Sequence, residues 1–584
     1  MKRTHYCVNV NESLIGQEVT IMGWVNKRRN LSHLIFVVLR DRTGIVQIVV
    51  DEEKNSELYK LAKEIRTEFV VAATGIVIAR TPENINPDMP TGKIEIEVKN
   101  MEILSEADVP PFHVADQDVA LDMRLKYRYI DLRRPEMQKI FEIRHKTAFA
   151  VRNFLSGQGF LEIETPVLIN SSPEGARDYI VPSRLHKGLF YALPQSPQQM
   201  KQVLMIAGFD KYFQLAKCFR DEDLRADRQP EFTQIDIEMS FIDEEDIYAL
   251  TEGLMCRVYS EVMGVKLPKP FPRITWHEAM ERFGTDKPDT RFGFELVNIS
   301  DLVKNTEFAV FSSALEAGGS VRGINAEGCG NMPRKQIDAL IELAKQHKAK
   351  GLAWLAVQDD GSFKTTLSKF FSPEELQNIA DKFSAKPGDL ILLCADENKI
   401  VFEALSEVRL AAAKWKGIKL EDINFIWVTD FPLLEYSAED DRYYAAHHPF
   451  TSPKIEDEHK LEADPASVRA RAYDLVLNGY ELGGGSIRNH KKEMQARMFK
   501  VLGFTPESAE EGFGYFLEAL KYGTPPHGGI ALGLDRIVML LVGAPSLREV
   551  IAFPKVKDAS CPMTGAPSMV AANQLDELGV ALQK

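Results

Sequence analysis

The most chemically loaded stretch of the sequence runs from Cys218-Phe219-Arg220-Asp221-Glu222-Asp223-Leu224 through Arg225 and Arg228 to Gln229-Pro230-Glu231-Phe232-Thr233-Gln234-Ile235-Asp236-Ile237-Glu238. Its ends read as strands and its middle as a charged loop. Several guanidiniums at a hairpin tip could clamp a polyphosphate, because each offers a bidentate fork that stays charged. A surface loop of mutually satisfied ion pairs is the other reading of the same residues. A second stretch, Tyr473-Asp474 to Gly479-Tyr480-Glu481-Leu482-Gly483-Gly484-Gly485-Ser486-Ile487-Arg488, has complementary chemistry. Asp474 and Glu481 are hard-oxygen candidates for Mg2+, and the glycines would let backbone approach a ligand closely. The stretch has neither a phosphate-loop Gly-Lys-Ser/Thr nor a G-x-G-x-x-G spacing. A third, Gly529-Ile530-Ala531-Leu532-Gly533-Leu534-Asp535-Arg536, leads into Ile537-Val538-Met539-Leu540-Leu541 and reads as a strand, a glycine turn and a buried helix with an arginine at its start.

These stretches sit in a chain of 584 residues, long enough for about three to five domains. With 45% hydrophobic and 27% charged residues, the composition excludes disordered and collagen-like classes. The formal charge of −14 cannot draw in nucleic acid by itself, so any such role needs locally concentrated arginine and lysine. Six cysteines lie far apart without a C-x-x-C pair, as expected of reduced thiols in a cytoplasmic protein. The start, Met1-Lys2-Arg3, turns polar through Asn9, Asn11 and Glu12, unlike a signal peptide. No apolar run reaches the ~18 residues a membrane span needs, so no membrane partner is expected.

The elements that must position this chemistry begin with a small β domain. Val19 to Val25, Leu34 to Leu39 and Ile45 to Val50 read as strands, Ser56 to Phe69 as a helix, and Phe69 to Ile78 and Lys93 to Ile103 as two more strands. Three strands, a helix and two strands is the order of an OB-fold. Basic residues cluster here: Lys27-Arg28-Arg29 leave the first strand and Arg40 and Arg42 the second, with Phe36 between them. Cations beside an exposed aromatic suit single-stranded RNA; a core Phe36 with a solvated basic rim is the alternative. Glu106 to Arg124 lacks periodicity and reads as a linker. Glu136 to Gly157 has helical spacing, and Gly159 to Pro166 alternates as an edge strand closed by proline.

Pro166 after that helix and strand, Phe219-Arg220-x-Glu222, and Gly533-Leu534-Asp535-Arg536 before an apolar helix resemble motifs 1, 2 and 3 of class II aminoacyl-tRNA synthetases, in the expected order. Gly175-Ala176-Arg177-Asp178-Tyr179, Gln195-Ser196-Pro197-Gln198 and His447-His448-Pro449-Phe450 extend the likeness. Over its whole length the chain resembles the bacterial-type aspartyl-tRNA synthetases.

The resemblance implies activation of L-aspartate with ATP to aspartyl-adenylate and pyrophosphate, then transfer to the 3′ end of tRNA-Asp. Arg220 and Arg536 would be the catalytic arginines, with Asp221, Glu222, Gln229, Phe232, Glu481, Gly533, Leu534 and Asp535 completing the ATP site. Asp474, Glu481 and Ser486 would hold Mg2+. Aspartate would lie among Glu174, Gln198, Lys201, Arg220, Asp236, His447 and Arg488, with Lys201 and Arg488 on its side-chain carboxylate. The likeness favours His447 over the adjacent His448. Arg29, Leu31, Phe36, Gln47 and Glu95 match positions that meet the tRNA anticodon.

The implied fold is α+β: an OB-fold barrel over 1–107, a linker over 108–135, a catalytic domain with an antiparallel sheet over 136–289 and 424–584, and an inserted α+β domain over 290–423. A homodimer is implied, with motif 1 at its interface. Members that also charge tRNA-Asn often carry histidine where this chain has Leu31, so Leu31 leans towards tRNA-Asp alone. The rivals are an enzyme of relaxed tRNA specificity, an asparaginyl-tRNA synthetase, and a non-catalytic RNA-binding paralogue.

Overall fold

The computed structural model describes residues 2–171, 177–224 and 227–582, and the chain forms two compact units. One unit holds Met1–His145, Leu224–Gln229 and Val542–Val570, and the other Lys146–Asp223, Pro230–Leu541 and Ala571–Lys584.

The first unit opens with a closed five-stranded barrel. Its strands are β1 (Glu18–Leu31), β2 (Leu34–Asp41), β3 (Gly44–Asp51), β4 (Val70–Ala79) and β5 (Ile94–Ser105), with helix α1 (Ser56–Glu64) between β3 and β4. Alternation closes the barrel: Val19, Ile21, Val25, Ile35, Val37, Leu39, Val46, Ile48 and Val50 turn inward and are buried. This is the element order expected from the sequence, with three corrections. β1 runs on to Leu31 past a bulge between Val25 and Lys27, so the basic run lies inside the strand. α1 stops at Glu64 rather than Phe69, where the Arg28 guanidinium donates to the Ala62 and Ile65 carbonyls at 3.4 and 2.8 Å. Arg40 is 5% exposed, with Nη2 2.9 Å from each oxygen of Glu68, so it belongs to no open basic surface. The stretch expected as a linker, 108–135, carries two short helices, Leu121–Lys126 and Arg128–Asp131.

The second unit is built on an eight-stranded sheet. From one edge its strands are Arg273–Thr275, Phe425–Thr429, Ala472–Leu477, Tyr480–Ile487, His527–Gly533, Glu231–Ser240, Lys211–Phe219 and Leu161–Glu162. The six central strands pair antiparallel, and only the two edge pairings are parallel. Between Arg273–Thr275 and Phe425–Thr429 the chain makes a separate five-stranded antiparallel sheet, ordered Leu296–Asn298, Ser320–Ala326, Leu390–Asp396, Ala353–Val357 and Phe363–Thr365. This sheet is buried on both faces: Ile324, Leu392 and Cys394 pack into one apolar cluster, and Val321, Ile391 and Leu393 into another. All six cysteines are unpaired. Among the described residues no helix is long and apolar enough to cross a membrane.

Candidate active site

Strand register assembles the site. Asp236 lies opposite Ala531 and Glu238 opposite Gly529; Gly484 lies opposite the same Ala531 and Ser486 opposite the same Gly529; Asp474 lies opposite Gly484. Because side chains alternate faces with period two, Asp236, Glu238, Asp474 and Ser486 emerge on one face of the sheet. The glycines make room for them. A Cβ on Gly484 would stand 2.0 Å from Asp474 Oδ1, and one on Gly529 2.1 Å from Glu238 Oε2. Within the glycine run, Gly484 makes room for the Asp474 carboxylate, while a Cβ on Gly483 or Gly485 would stand 1.9 Å from a backbone carbonyl of the neighbouring strand.

A buried four-charge cluster occupies one part of this face. Lys201, on the helix Gln198–Ile206, lies 2.5 Å from Asp236 Oδ1 and 3.4 Å from Glu238 Oε2. Arg488 forks onto Glu238 through Nε at 2.9 Å and Nη2 at 3.1 Å. None of the four side chains exceeds 2% exposure. Burial would raise the Glu238 carboxyl, but Arg488 and Lys201 hold it below the usual range. Burial raises Asp236 against the pull of Lys201. The fork on Glu238 leaves Arg488 Nη1 as the remaining edge, which donates to Ser486 Oγ at 2.8 Å and faces His448 Nε2. His448 Nδ1 also meets the Phe450 N–H at 3.1 Å; a neutral imidazole has one acceptor nitrogen and can serve only one of these donors. Burial and the Arg488 charge keep that ring neutral, far below the ordinary histidine range. Among the described residues, Asp236 Oδ2 and Gln198 Nε2 are buried without hydrogen-bond partners, a costly condition that a bound polar group would relieve.

A second, acidic cluster adjoins it in the strand register. Burial pushes Asp474 up to about 6 against the His447 contact at 3.6 Å, and Glu481 adds to the rise. Burial would lower His447, but Asp474 and then Glu481 raise it. Burial would raise Glu481, but Lys287, 3.2 Å from its Oε2, and Arg536 bring it down. The buried Asp474 carboxylate and the half-buried Glu481 carboxylate, which repel each other, make a hard-oxygen donor set suited to Mg2+. Ser486 Oγ accepts from Arg488 Nη1 at 2.8 Å and lies 3.3 Å from Thr451 Oγ1.

The residues expected around ATP flank this cluster. The Arg220 guanidinium lies over the Phe232 ring, 5.2 Å from its centroid, with Nε buried and without a partner among the described residues. Arg220 N–H donates to Pro230 O at 2.9 Å, closing the neck of the charged loop. Asp221 lies 3.7 Å from Arg177, and Glu222 is half-buried. Gly533 ends its strand and Leu534 opens the helix Leu534–Leu541 with a buried side chain. Asp535 Oδ2 accepts the Thr233 N–H at 2.8 Å, tying that helix to the Asp236 strand. The Arg536 guanidinium donates to the Glu481 carbonyl.

Some expected residues are placed elsewhere. Glu174 lies outside the described residues. Gln229 belongs to the barrel's unit, where its amide pairs with the Lys555 backbone at 3.1 and 2.8 Å. On the barrel, Phe36 sits half-buried on the outer face between inward-pointing Ile35 and Val37, directly opposite Arg29. That removes the alternative of a core Phe36. Gln47 Nε2 donates to Glu95 Oε2 at 2.8 Å, and Leu31 is 66% exposed at the end of β1.

The sequence did not single out Glu238 and Lys287; of the two adjacent histidines, the structure puts His447 beside Asp474 and His448 against Arg488. Glu238 had a visible signal: in Gln234-Ile235-Asp236-Ile237-Glu238, two acids alternate with isoleucines and must share a face.

The family described as tRNA synthetases class II (D, K and N) matches residues 120–557, and the OB-fold nucleic acid binding domain matches residues 19–104. An aspartate–tRNA ligase of Ruminiclostridium cellulolyticum is 55% identical over 100% of this chain and 99% of its own. An aspartate–tRNA(Asp/Asn) ligase of Lachnoclostridium phytofermentans is also 55% identical, over 100% and 98%. The solved asparaginyl-tRNA synthetase of Pyrococcus horikoshii with asparaginyl-adenylate shares the fold at a TM-score of 0.59 and 19% identity, covering 95% of this chain and 98% of that one. Matched across both regions and end to end with such relatives, the chain belongs to the class II tRNA synthetases, among the aspartate–tRNA ligases.

Proposed function

We propose that the chain is an aspartate–tRNA ligase that joins L-aspartate to ATP, releasing pyrophosphate, and then transfers aspartate to the 3′-terminal adenosine of tRNA-Asp. The observation that carries the amino-acid choice is the buried cluster. The Arg488 Nη1 edge and Lys201 offer cationic donors to a side-chain carboxylate, and the unpartnered Asp236 Oδ2 accepts from the substrate ammonium. Asparagine fits less well, because a neutral amide cannot form the charge-assisted hydrogen bond that a carboxylate makes with the Arg488 Nη1 edge.

Adenylation needs no general base, since the attacking carboxylate is already ionised at neutral pH. Its oxygen forms a bond to the α-phosphorus while the bond to pyrophosphate breaks. Arg220 meets the charge that builds on the α-phosphate, and Phe232 stacks on the adenine. Arg536 serves the far end of the nucleotide. Asp474 and Glu481 would hold Mg2+, which would offset phosphate charge. The terminal adenosine hydroxyl then attacks the mixed anhydride and AMP leaves.

The outer face of the barrel, with Arg29, Phe36, Gln47 and Glu95, takes the anticodon, and exposed Leu31 favours tRNA-Asp. Motif 1 supports a homodimer: Leu161–Glu162 is an exposed edge strand, and Leu161 and Leu168 are 51% and 52% exposed. Six free thiols suit the cytoplasm.

The test is ATP–pyrophosphate exchange with aspartate and with asparagine, followed by charging of tRNA-Asp and tRNA-Asn. Exchange with aspartate alone and charging of tRNA-Asp alone are expected. Equal charging of tRNA-Asn would establish relaxed specificity, which the name of the Lachnoclostridium relative makes the second reading. Sedimentation velocity on the same preparation should show a dimer, and a monomer at assay concentration would refute that assignment.

A further inference from the structure

Lys287 reaches the acidic cluster from outside the sheet. It lies in Gly284-Thr285-Asp286-Lys287-Pro288-Asp289, directly after the helix Trp276–Phe283 and ahead of the inserted sheet. Its Nζ stands 3.2 Å from Glu481 Oε2 and 3.9 Å from Asp286 Oδ1. Lysine on a mobile loop would lose much rotamer freedom in making such a contact, but this backbone is held from several directions. Gly284 turns the chain at φ +69. Pro288 and Asp289 are buried. Arg409, on the inserted domain's helix Asn398–Lys416, donates to the carbonyls of Asp289, Phe292 and Gly293 at 2.8, 2.9 and 3.0 Å. Arg291 brackets the Asp289 carboxylate at 2.9 and 2.7 Å and donates to Leu420 O at 2.6 Å.

The inserted domain therefore anchors the strand-free segment that delivers an ammonium to Glu481. The ammonium supplies the positive charge that the Asp474 and Glu481 carboxylates require, and a divalent ion requires the same oxygens. We infer that Lys287 is a positioning residue of the ATP site: a tethered counter-ion that holds Glu481, competes with a free divalent ion for it, and yields when the ion is bound. The inference rests on Asp474 and Glu481 being the carboxylates for Mg2+. Its consequence is that the free ion binds weakly.

The experiment titrates Mn2+ alone into the full-length protein and follows binding by calorimetry, with Lys287→Met, Lys287→Arg and Glu481→Gln beside the wild type. Lys287→Met should bind Mn2+ roughly fivefold more tightly, the low end of typical coupling between sites. Lys287→Arg restores the charge and should bind like the wild type, and Glu481→Gln should bind more weakly. Weaker binding in Glu481→Gln with none of the gain in Lys287→Met would overturn the role of Lys287 alone. Binding unchanged in both variants would overturn the carboxylate reading and this inference with it.

Discussion

Arg488 shows how a residue proposed to bind substrate can also be a structural one. Its guanidinium is committed to Glu238 through two hydrogen bonds, and both side chains are buried. Removing one partner strands the other as an uncompensated buried charge, which typically costs about 3–5 kcal/mol. Arg488→Leu should therefore lower the melting temperature as well as raise the KM for aspartate. Combining it with Glu238→Leu removes both charges, and replacing a buried pair by apolar groups is often neutral. We expect the double variant to recover most of the thermal stability while its aspartate dependence stays lost, as measured by thermal unfolding and pyrophosphate exchange. Recovery of aspartate binding in the double variant would show that Arg488 acts only through stability. At this scale the charged residues are legible in the sequence and their pairing is not, because Glu238 and Arg488 are 250 positions apart.

Among elements, the strand that carries Asp474 is tied to the helix Glu244–Val258 by one ion pair. Arg471 precedes Ala472–Leu477 and donates to the two Glu244 oxygens at 2.8 and 2.6 Å. Burial would raise the Glu244 carboxyl, but the Arg471 hydrogen bonds and charge hold it below its ordinary value. A carboxyl depressed in the folded state stabilises the fold above its unfolded pKa, about 4.3, and that contribution is lost as pH falls through the folded value. Arg471→Met should thus cost about 1 kcal/mol at pH 7, a modest figure because both side chains keep some solvent contact. The gap between variant and wild type should close below about pH 4. Thermal unfolding across pH 3–7 checks this, and a pH-independent gap would point to lost packing instead.

For the whole molecule, the barrel and the large sheet have separate cores: Ile35, Val37 and Leu39 belong to one apolar cluster, Ile426, Val428 and Val476 to another. Chemistry and anticodon contact can therefore be perturbed independently. Phe36→Ala alters a half-buried outer-face residue, so it should leave pyrophosphate exchange within about twofold and cost little stability. The tRNA charging rate should fall roughly tenfold, since one base stack is worth about 1–3 kcal/mol. Loss of exchange as well would mean that Phe36 acts through folding.

The sequence by itself determined the elements and the residue types. Period-two runs marked the barrel strands, helical spacing marked 136–157, and three strings of polar and glycine residues marked the strands and turns that the large sheet brings together. Local patterns carry such information because alternation and turn chemistry act over a few residues. Strand register decided the rest. It placed Gly484 opposite Asp474 and Gly529 opposite Glu238, so that glycine makes room for carboxylates on adjacent strands. Burial decided which arginines are spent internally, as Arg40 is on Glu68 and Arg28 at the end of α1. It also separated two adjacent histidines, His448 against Arg488 and His447 against Asp474. These outcomes depend on pairings between distant residues, and desolvation in the folded chain sets their energies.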